Sequence, residues 1–176
     1  MTDSLISRRQ LASAGGLAVA ALGASVAAAQ QAGQAAAPAG PEGLKSEFLM
    51  DLILETGGPG GGMVGARQIV PVIGGTFEGP KLRGKVMPPG GDWLVRVSDT
   101  VRWLDIRTLL LTDDDQRIYL TYRGVLYTPP GQPRYQRVLM MFETGSEKYA
   151  WLQQIVAVGV GYTIAQRVPY HVHQIL

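Results

Sequence analysis

Residues 101–127 read VRWLDIRTLLLTDDDQRIYLTYRGVLY. Two apolar-rich runs flank the acidic triplet Asp113-Asp114-Asp115. If the triplet is a three-residue hairpin loop, Thr112 stands opposite Gln116, Arg107 opposite Thr121 and Asp105 opposite Arg123. Side chains alternate along a strand. One face of this hairpin then carries Leu104, Ile106, Leu110, Ile118, Leu120 and Tyr122. The other carries Trp103, Asp105, Arg107, Tyr119 and Arg123. One apolar and one mixed face is the pattern of antiparallel strands lying with one side on a core. A one-residue change in the loop would dissolve the Asp105–Arg123 pairing.

The same grammar extends outward. Turn signals recur roughly every ten residues from Ser46 on: Gly57–Gly62, Gly74-Gly75, Gly79-Pro80, Pro88–Gly91, Ser98-Asp99, Pro129–Pro133 and Gly145-Ser146. Between them lie strand candidates at Glu47–Glu55, Gln68–Ile73, Lys81–Met87, Trp93–Val97, Tyr135–Glu143, Ala150–Gly159 and Arg167–Ile175, beside Val101–Thr112 and Arg117–Tyr127. Tyr149–Val160 also suits a short helix, since periodicity does not decide a short apolar run. Evenly spaced strands with glycine turns predict an all-β antiparallel sandwich or barrel.

Composition narrows the class. Apolar residues make up 46% of the 176, enough for a core, and charged residues only 17%, too few for a disordered polyelectrolyte. The net charge of +2 comes without a Lys/Arg cluster, which argues against nucleic acid as partner. The absence of cysteine removes disulfides, thiolate nucleophiles and cysteine-type zinc sites.

The first residues have a different character. Arg8-Arg9 stand directly before the uncharged, Ala/Gly-rich run Leu11–Ala29, which ends in Ala27-Ala28-Ala29-Gln30. This pattern reads as a twin-arginine signal peptide, residues 1–29, with a small-residue cleavage site. A retained membrane anchor is the competing reading, disfavoured because Ala and Gly insert poorly. Residues 30–43, QQAGQAAAPAGPEG, read as a flexible linker. The expected folded domain is 44–176, exported to a periplasmic space with no stable membrane span after cleavage.

Gly79–Lys85, GPKLRGK, is one residue short of a phosphate-binding loop. Val86 stands where the magnesium-binding hydroxyl belongs, and Pro88-Pro89-Gly90-Gly91 does not open a helix. The glycines instead predict bends and close backbone contacts in a curved sheet, with Lys81, Arg83 and Lys85 on a solvent face.

The longer stretch GGTFEGPKLRGKVMPPGGDW, residues 74–93, preceded by Arg67-Gln68-Ile69-Val70-Pro71, resembles the bacterial family called domain of unknown function 3237. The likeness continues through Leu104–Arg107, Tyr122–Gly124, Phe142–Gly145 and Tyr149–Leu152, spanning about residues 46–172. Gly90-Gly91-Asp92 departs from the family's usual spacing, and Gln153 stands where Asn is usual. The resemblance implies a closed antiparallel β-barrel, similar to allene oxide cyclase and the lipocalin-like group. Through a few relatives associated with catabolism of plant-derived aromatic compounds, it also implies a lyase or decarboxylase.

Several residues are candidates for chemistry. Asp92, beside Trp93 after a Pro-Gly turn, suits an acid or base at a barrel mouth, or a simple turn cap. Glu143 becomes half-buried if Arg137, Leu139 and Met141 point inward, and is otherwise a solvated strand end. Arg67, Arg107 and Arg123 suit an anion clamp, or salt bridging with Asp105. Tyr122, Tyr149 and Tyr170 suit proton donors, or packing residues with a tethered hydroxyl. His171 and His173 share a strand face but lack a third ligand nearby, so no metal is expected. No cofactor is expected either.

These readings combine into an expected small-molecule barrel: a cofactor-independent lyase, decarboxylase or isomerase for a hydrophobic aromatic carboxylate. Asp92 or Glu143 would move the proton, Tyr122 or Tyr149 assist, an arginine anchor the anion, and Trp93 and Trp103 form stacking walls. The alternative is a non-catalytic periplasmic carrier of small hydrophobic ligands. A homo-oligomer is the expected assembly.

Overall fold

The computed structural model describes residues 43–162 and 167–176. The signal-peptide and linker readings lie outside the described residues. The strands are β1 (Ser46–Thr56), β2 (Gly62–Val64), β3 (Arg67–Glu78), β4 (Arg83–Arg96), β5 (Val101–Thr112), β6 (Arg117–Tyr127), β7 (Tyr135–Thr144), β8 (Ala157–Gly161) and β9 (Arg167–Ile175). A 3-10 helix, Glu147–Gln154, stands between β7 and β8.

The ladder runs β1-β9-β8-β7-β6-β5-β4-β3, and β1 also pairs with β3. That last pairing closes an eight-stranded antiparallel barrel. Closure leaves no long sheet edge exposed. The short β2 pairs with Arg67–Ile69 at the start of β3.

The hairpin of β5 and β6 has the register expected of it. Asp105 faces Arg123, Arg107 faces Thr121, and the Thr112 amide donates to the Gln116 carbonyl. Leu104, Ile106, Leu110, Ile118, Leu120 and Tyr122 are all buried. Val138, Met140 and Phe142 of β7 continue this inner face.

The glycine-rich stretch is strand, with one correction. Lys81–Met87 and Trp93–Val97 are not separate strands but parts of β4, which runs through Pro88-Pro89. The prolines are tolerated because pairing to β5 shifts between Met87 and Gly91, and pairing to β3 between Val72 and Thr76. Prolines fall where a regular ladder is already interrupted. Gly79 and Gly84, the glycines of the near-phosphate loop, sit where a Cβ would collide with the carbonyl oxygens of Leu49 and Leu111. Backbone packing explains both.

The run after β7 divides. Residues 147–154 form the 3-10 helix, which puts Tyr149 and Leu152 into the barrel end, and only Ala157–Gly161 pairs as strand. Asp114 of the β5–β6 turn ties this helix down. Its carboxylate accepts from Thr112 Oγ1 at 2.6 Å, Lys148 Nζ at 2.6 Å and Tyr149 Oη at 2.9 Å. These bonds hold the Asp114 carboxyl well below the usual range. The helix thus stoppers one end of the barrel, and the interior beneath it is filled by Leu110, Ile118, Leu120, Met140 and Leu152.

Candidate functional site

The other half of the barrel is not filled. A cavity of about 200 Å³ lies among the ends of β1, β4 and β6 and the starts of β3, β5, β7 and β9. Its walls are mostly apolar, from Leu54, Val70, Val72, Leu94, Leu104, Ile106, Leu126 and Val168. Into them project Asp92, Tyr122, Gln136, Tyr170, Thr56 and Arg134.

Strand alternation brings the polar groups there. On β4, Val86 and Leu94 point inward, and Asp92 shares their parity. Its Oδ1 accepts from the Asp105 amide at 3.0 Å. Burial pushes the Asp92 carboxyl up to about 6, against the pull of that hydrogen bond. On β6, Tyr122 follows Ile118 and Leu120 inward and is 2% exposed. Burial pushes its phenol well above the ordinary value, and the charges of Tyr170 and Asp92 add to the effect. Tyr170 of β9 is pushed up to about 12, again chiefly by burial. Both phenols are therefore neutral donors at physiological pH.

The two tyrosine rings meet edge to face, centroids 5.4 Å apart. Gln136 Nε2 donates to Tyr170 Oη at 2.6 Å. The Tyr122 hydroxyl lies near that of Tyr170 without good hydrogen-bond geometry, and it and Gln136 Oε1 are buried without a partner. Buried polar atoms are nearly always satisfied, so two orphans on one cavity wall fit a place for a polar guest. Arg134 stands at the rim, half-buried, with burial and the neighbouring Arg102 lowering its pKa.

Of the expected site residues, Asp92, Tyr122 and Tyr170 meet in this cavity. The others lie elsewhere. Arg67 is exposed and donates from Nη1 to the Trp93 carbonyl at 2.8 Å. Trp93 points to the outer face, where the Arg107 guanidinium stacks on it at 5.2 Å. Asp105 is on that face too, paired with Arg107 at 3.3 Å and Arg123 at 3.4 Å. Trp103 is 56% exposed. Arg137, Leu139 and Met141 point away from the interior, so Glu143 is a solvated strand end. Tyr149 is buried, but its hydroxyl serves Asp114 at the stoppered end. His171 and His173 also face outward, the first paired through Nδ1 with Asp51 and the second edge-on to Phe48. Among the described residues no three His, Cys, Asp or Glu side chains gather as a metal site.

Gln136 and Arg134 were not singled out from the sequence. The available signal was parity: both share the inward register of Val138, Met140 and Phe142, where a polar residue interrupts an apolar row.

An all-β barrel with a small apolar cavity, a buried carboxyl and two buried phenols is the class of protein that fold and site define. The chain belongs to the family described as "Protein of unknown function (DUF3237)", which it matches over residues 44–175. It is similar to a UPF0311 protein of Rhodopseudomonas palustris strain TIE-1, at 32% identity over 126 residues, covering 64% of this chain and 82% of that one. A solved β-barrel-like protein of Acinetobacter baumannii superposes with a TM-score of 0.71 at 32% identity, covering 78% of this chain and 99% of that one. A solved enzyme of Penicillium herquei gives 0.62 at 25% identity, covering 80% and 100%.

Proposed function

We propose that this barrel is a cofactor-independent acid–base enzyme, an isomerase or lyase that moves a proton at carbon in a small aromatic or similarly hydrophobic substrate. One observation carries the reading: a carboxyl with a pKa near 6 sits in an apolar cavity beside a buried hydroxyl that has no partner. A base poised near the working pH, facing a neutral donor, is suited to enolisation. The Asp92 carboxylate takes a proton from the carbon next to a carbonyl. The C–H electron pair moves into the carbonyl, and the Tyr122 hydroxyl hydrogen-bonds the developing oxyanion. Return of the proton from Asp92 to a different carbon completes an isomerisation. In a decarboxylation the same carboxylic acid would protonate the carbon that CO₂ leaves.

The cavity size limits the guest. An apolar cavity of about 150 Å³ holds benzene, so about 200 Å³ accommodates one ring with a short substituent. The fungal relative described as an enzyme supports catalysis. A carrier would need polar groups only at its rim, whereas Asp92, Tyr122 and Gln136 lie among the walls. We place the reaction in the periplasm, on the strength of the twin-arginine pattern at residues 8–9. Cell fractionation with and without an Arg8→Lys, Arg9→Lys change tests that placement.

The test of the reaction is a panel of one-ring ketones and phenylpropanoid acids, incubated with the protein in D₂O and followed by NMR for carbon-bound deuterium or product. Turnover by the wild type that Asp92→Asn abolishes supports the proposal. No exchange or product with any compound, or unchanged rates in the variant, overturns it.

For the assembly we propose a homodimer across the outer face of β6 and β7. Val125, Tyr127, Tyr135, Leu139 and Met141 are exposed there, beside Trp103. With neighbouring Val160 this patch approaches roughly 600 Å², at the upper end for a monomer and near one partner's share of a standard interface. The outward row of β7 is Arg137, Leu139, Met141, Glu143. A twofold axis between Leu139 and Met141 would set Arg137 of one copy against Glu143 of the other.

A further inference from the structure

Three arginines stand on inward-facing registers at the cavity end of the barrel. Arg96 follows Leu94 on β4, Arg102 precedes Leu104 on β5, and Arg134 precedes Gln136 at the start of β7. Arg96 and Arg102 are direct cross-strand partners. Like charges directly opposite one another on a sheet are destabilising. The nearby acid, Asp99, binds Arg96 Nη2 at 3.1 Å. Arg102, half-buried, has no ion pair among the described residues, and its charge is felt by Arg134 on the cavity wall. Beneath them Gln136, 3% exposed, keeps Oε1 unpartnered.

The stoppered end offers a contrast. There Arg83 pairs with Asp113 and Lys148 with Asp114. At the cavity end Arg96 pairs with Asp99 and Arg167 with Glu55, so the asymmetry lies in Arg102, set opposite Arg96 across the ladder. Asp92 lies among the cavity walls, whereas guanidinium groups at a rim beside low-dielectric walls focus field and raise the local concentration of anions there.

We propose that Arg102 and Arg134 bind the carboxylate of the ligand at the rim, while its ring occupies the cavity below. A planar carboxylate matches the guanidinium fork. The volume beneath leaves space for one ring, which makes the ligand class a monocyclic aromatic acid. This inference rests on the cavity being the ligand site, as in the proposed function, but not on the reaction.

The experiment is calorimetric titration of the full folded chain with benzoate, benzamide and phenyl phosphate at pH 7. Benzoate binding at least about tenfold tighter than benzamide, with the preference shrinking as salt rises, is expected. Arg102→Gln lowers benzoate affinity about 10–100-fold and leaves benzamide within about twofold. Because the change removes a like-charge opposition, its thermal midpoint equals or exceeds that of the wild type, which separates lost binding from lost folding. Equal affinity for benzoate and benzamide, or an unchanged preference in Arg102→Gln, overturns the rim assignment alone. Tighter binding of phenyl phosphate than benzoate overturns the choice of carboxylate. Failure of every probe to bind overturns the cavity reading as well.

Discussion

Replacing Asp92 by Asn separates stability from function along the pH axis. In the native barrel this carboxyl titrates near 6, and in the unfolded chain near the ordinary aspartate value of 3.8. Between those values the folded state keeps a proton that the unfolded chain has released. Stability therefore falls as pH rises through the window, by ~1.4 kcal/mol per pH unit, and levels off above pH ~6. The gap of about two units gives a ceiling of ~3 kcal/mol. Partial solvent access reduces this to ~2. Asn is never charged, and its Oδ1 can still accept from the Asp105 amide. The variant should match the wild type near pH 3.5 and exceed it by ~2 kcal/mol at pH 8, or ~5–10 °C in Tm for a domain of this size. Thermal melts from pH 3.5 to 8 read the effect as a difference curve that opens between pH 4 and 6. Parallel curves at all pH values, or a less stable variant at pH 8, would refute the claim that Asp92 is a desolvated carboxyl. In the same window, kcat/KM of the wild type for an enolisation should climb and reach a plateau above pH ~6, since the base must be ionised.

Tyr122→Phe removes a buried hydroxyl without a partner, so it should leave stability unchanged or raise it by up to ~1 kcal/mol, while lowering turnover about 100-fold; urea titration and steady-state rates check the pair. Gly84→Ala drives a methyl into the Leu111 carbonyl and should cost ~2–4 kcal/mol without altering the pH dependence of activity, which urea melts and a pH–rate profile resolve. Leu139→Arg should shift the protein from dimer to monomer in sedimentation velocity, and a wild type that sediments as a monomer at 100 µM refutes the outer-face interface.

Much of the barrel was legible because period-two alternation is a strong signal when a sharp turn sets its phase. The acidic triplet at 113–115 did this for β5 and β6, and the register followed residue by residue. The phase was harder to carry through Pro88–Gly91, where the ladder shifts on both sides, so β4 read as two strands. Residues 147–154 carry Tyr149 and Leu152 three apart, on one face of a 3-10 turn and on opposite faces of a strand, but two apolar positions in so short a run do not fix the period. The short β2 has too few residues for any pattern. In the site, Asp92, Tyr122 and Tyr170 were visible as chemistry-bearing types beside apolar neighbours. Arg67, Arg107 and Arg123 attracted notice by charge, yet the parity already derived for Asp105 sets Arg107 and Arg123 on the outer face. Arg102 and Arg134, with the opposite parity, stand at strand ends, where alternation loses its anchor on one side and a charged residue reads as ordinary solvent exposure.

The distribution of unfavourable features argues that the two ends of the barrel do different work. At the stoppered end Asp114 satisfies Thr112, Lys148 and Tyr149 together, and the core beneath is full. At the other end a carboxyl is held out of water, a phenol hydroxyl and an amide oxygen lack partners, and Arg96 faces Arg102 across a ladder. Each feature destabilises the fold by itself. Each could be removed by an ordinary substitution, Asp92→Leu, Tyr122→Phe or Arg102→Leu, that the barrel's own apolar rows would accommodate. Folding pressure alone would not hold them together around one cavity, since local rules are broken where function requires it. A bound monocyclic acid would relieve the Tyr122 hydroxyl and the like-charged groups at once, its carboxylate between the guanidinium groups and a carbonyl against that hydroxyl, while the Gln136 amide oxygen, an acceptor, calls for a donor such as a ring hydroxyl. The ligand that fits should therefore raise the thermal midpoint in proportion to ln(1 + [L]/Kd). Arg102→Gln should diminish that gain for acids and not for neutral rings.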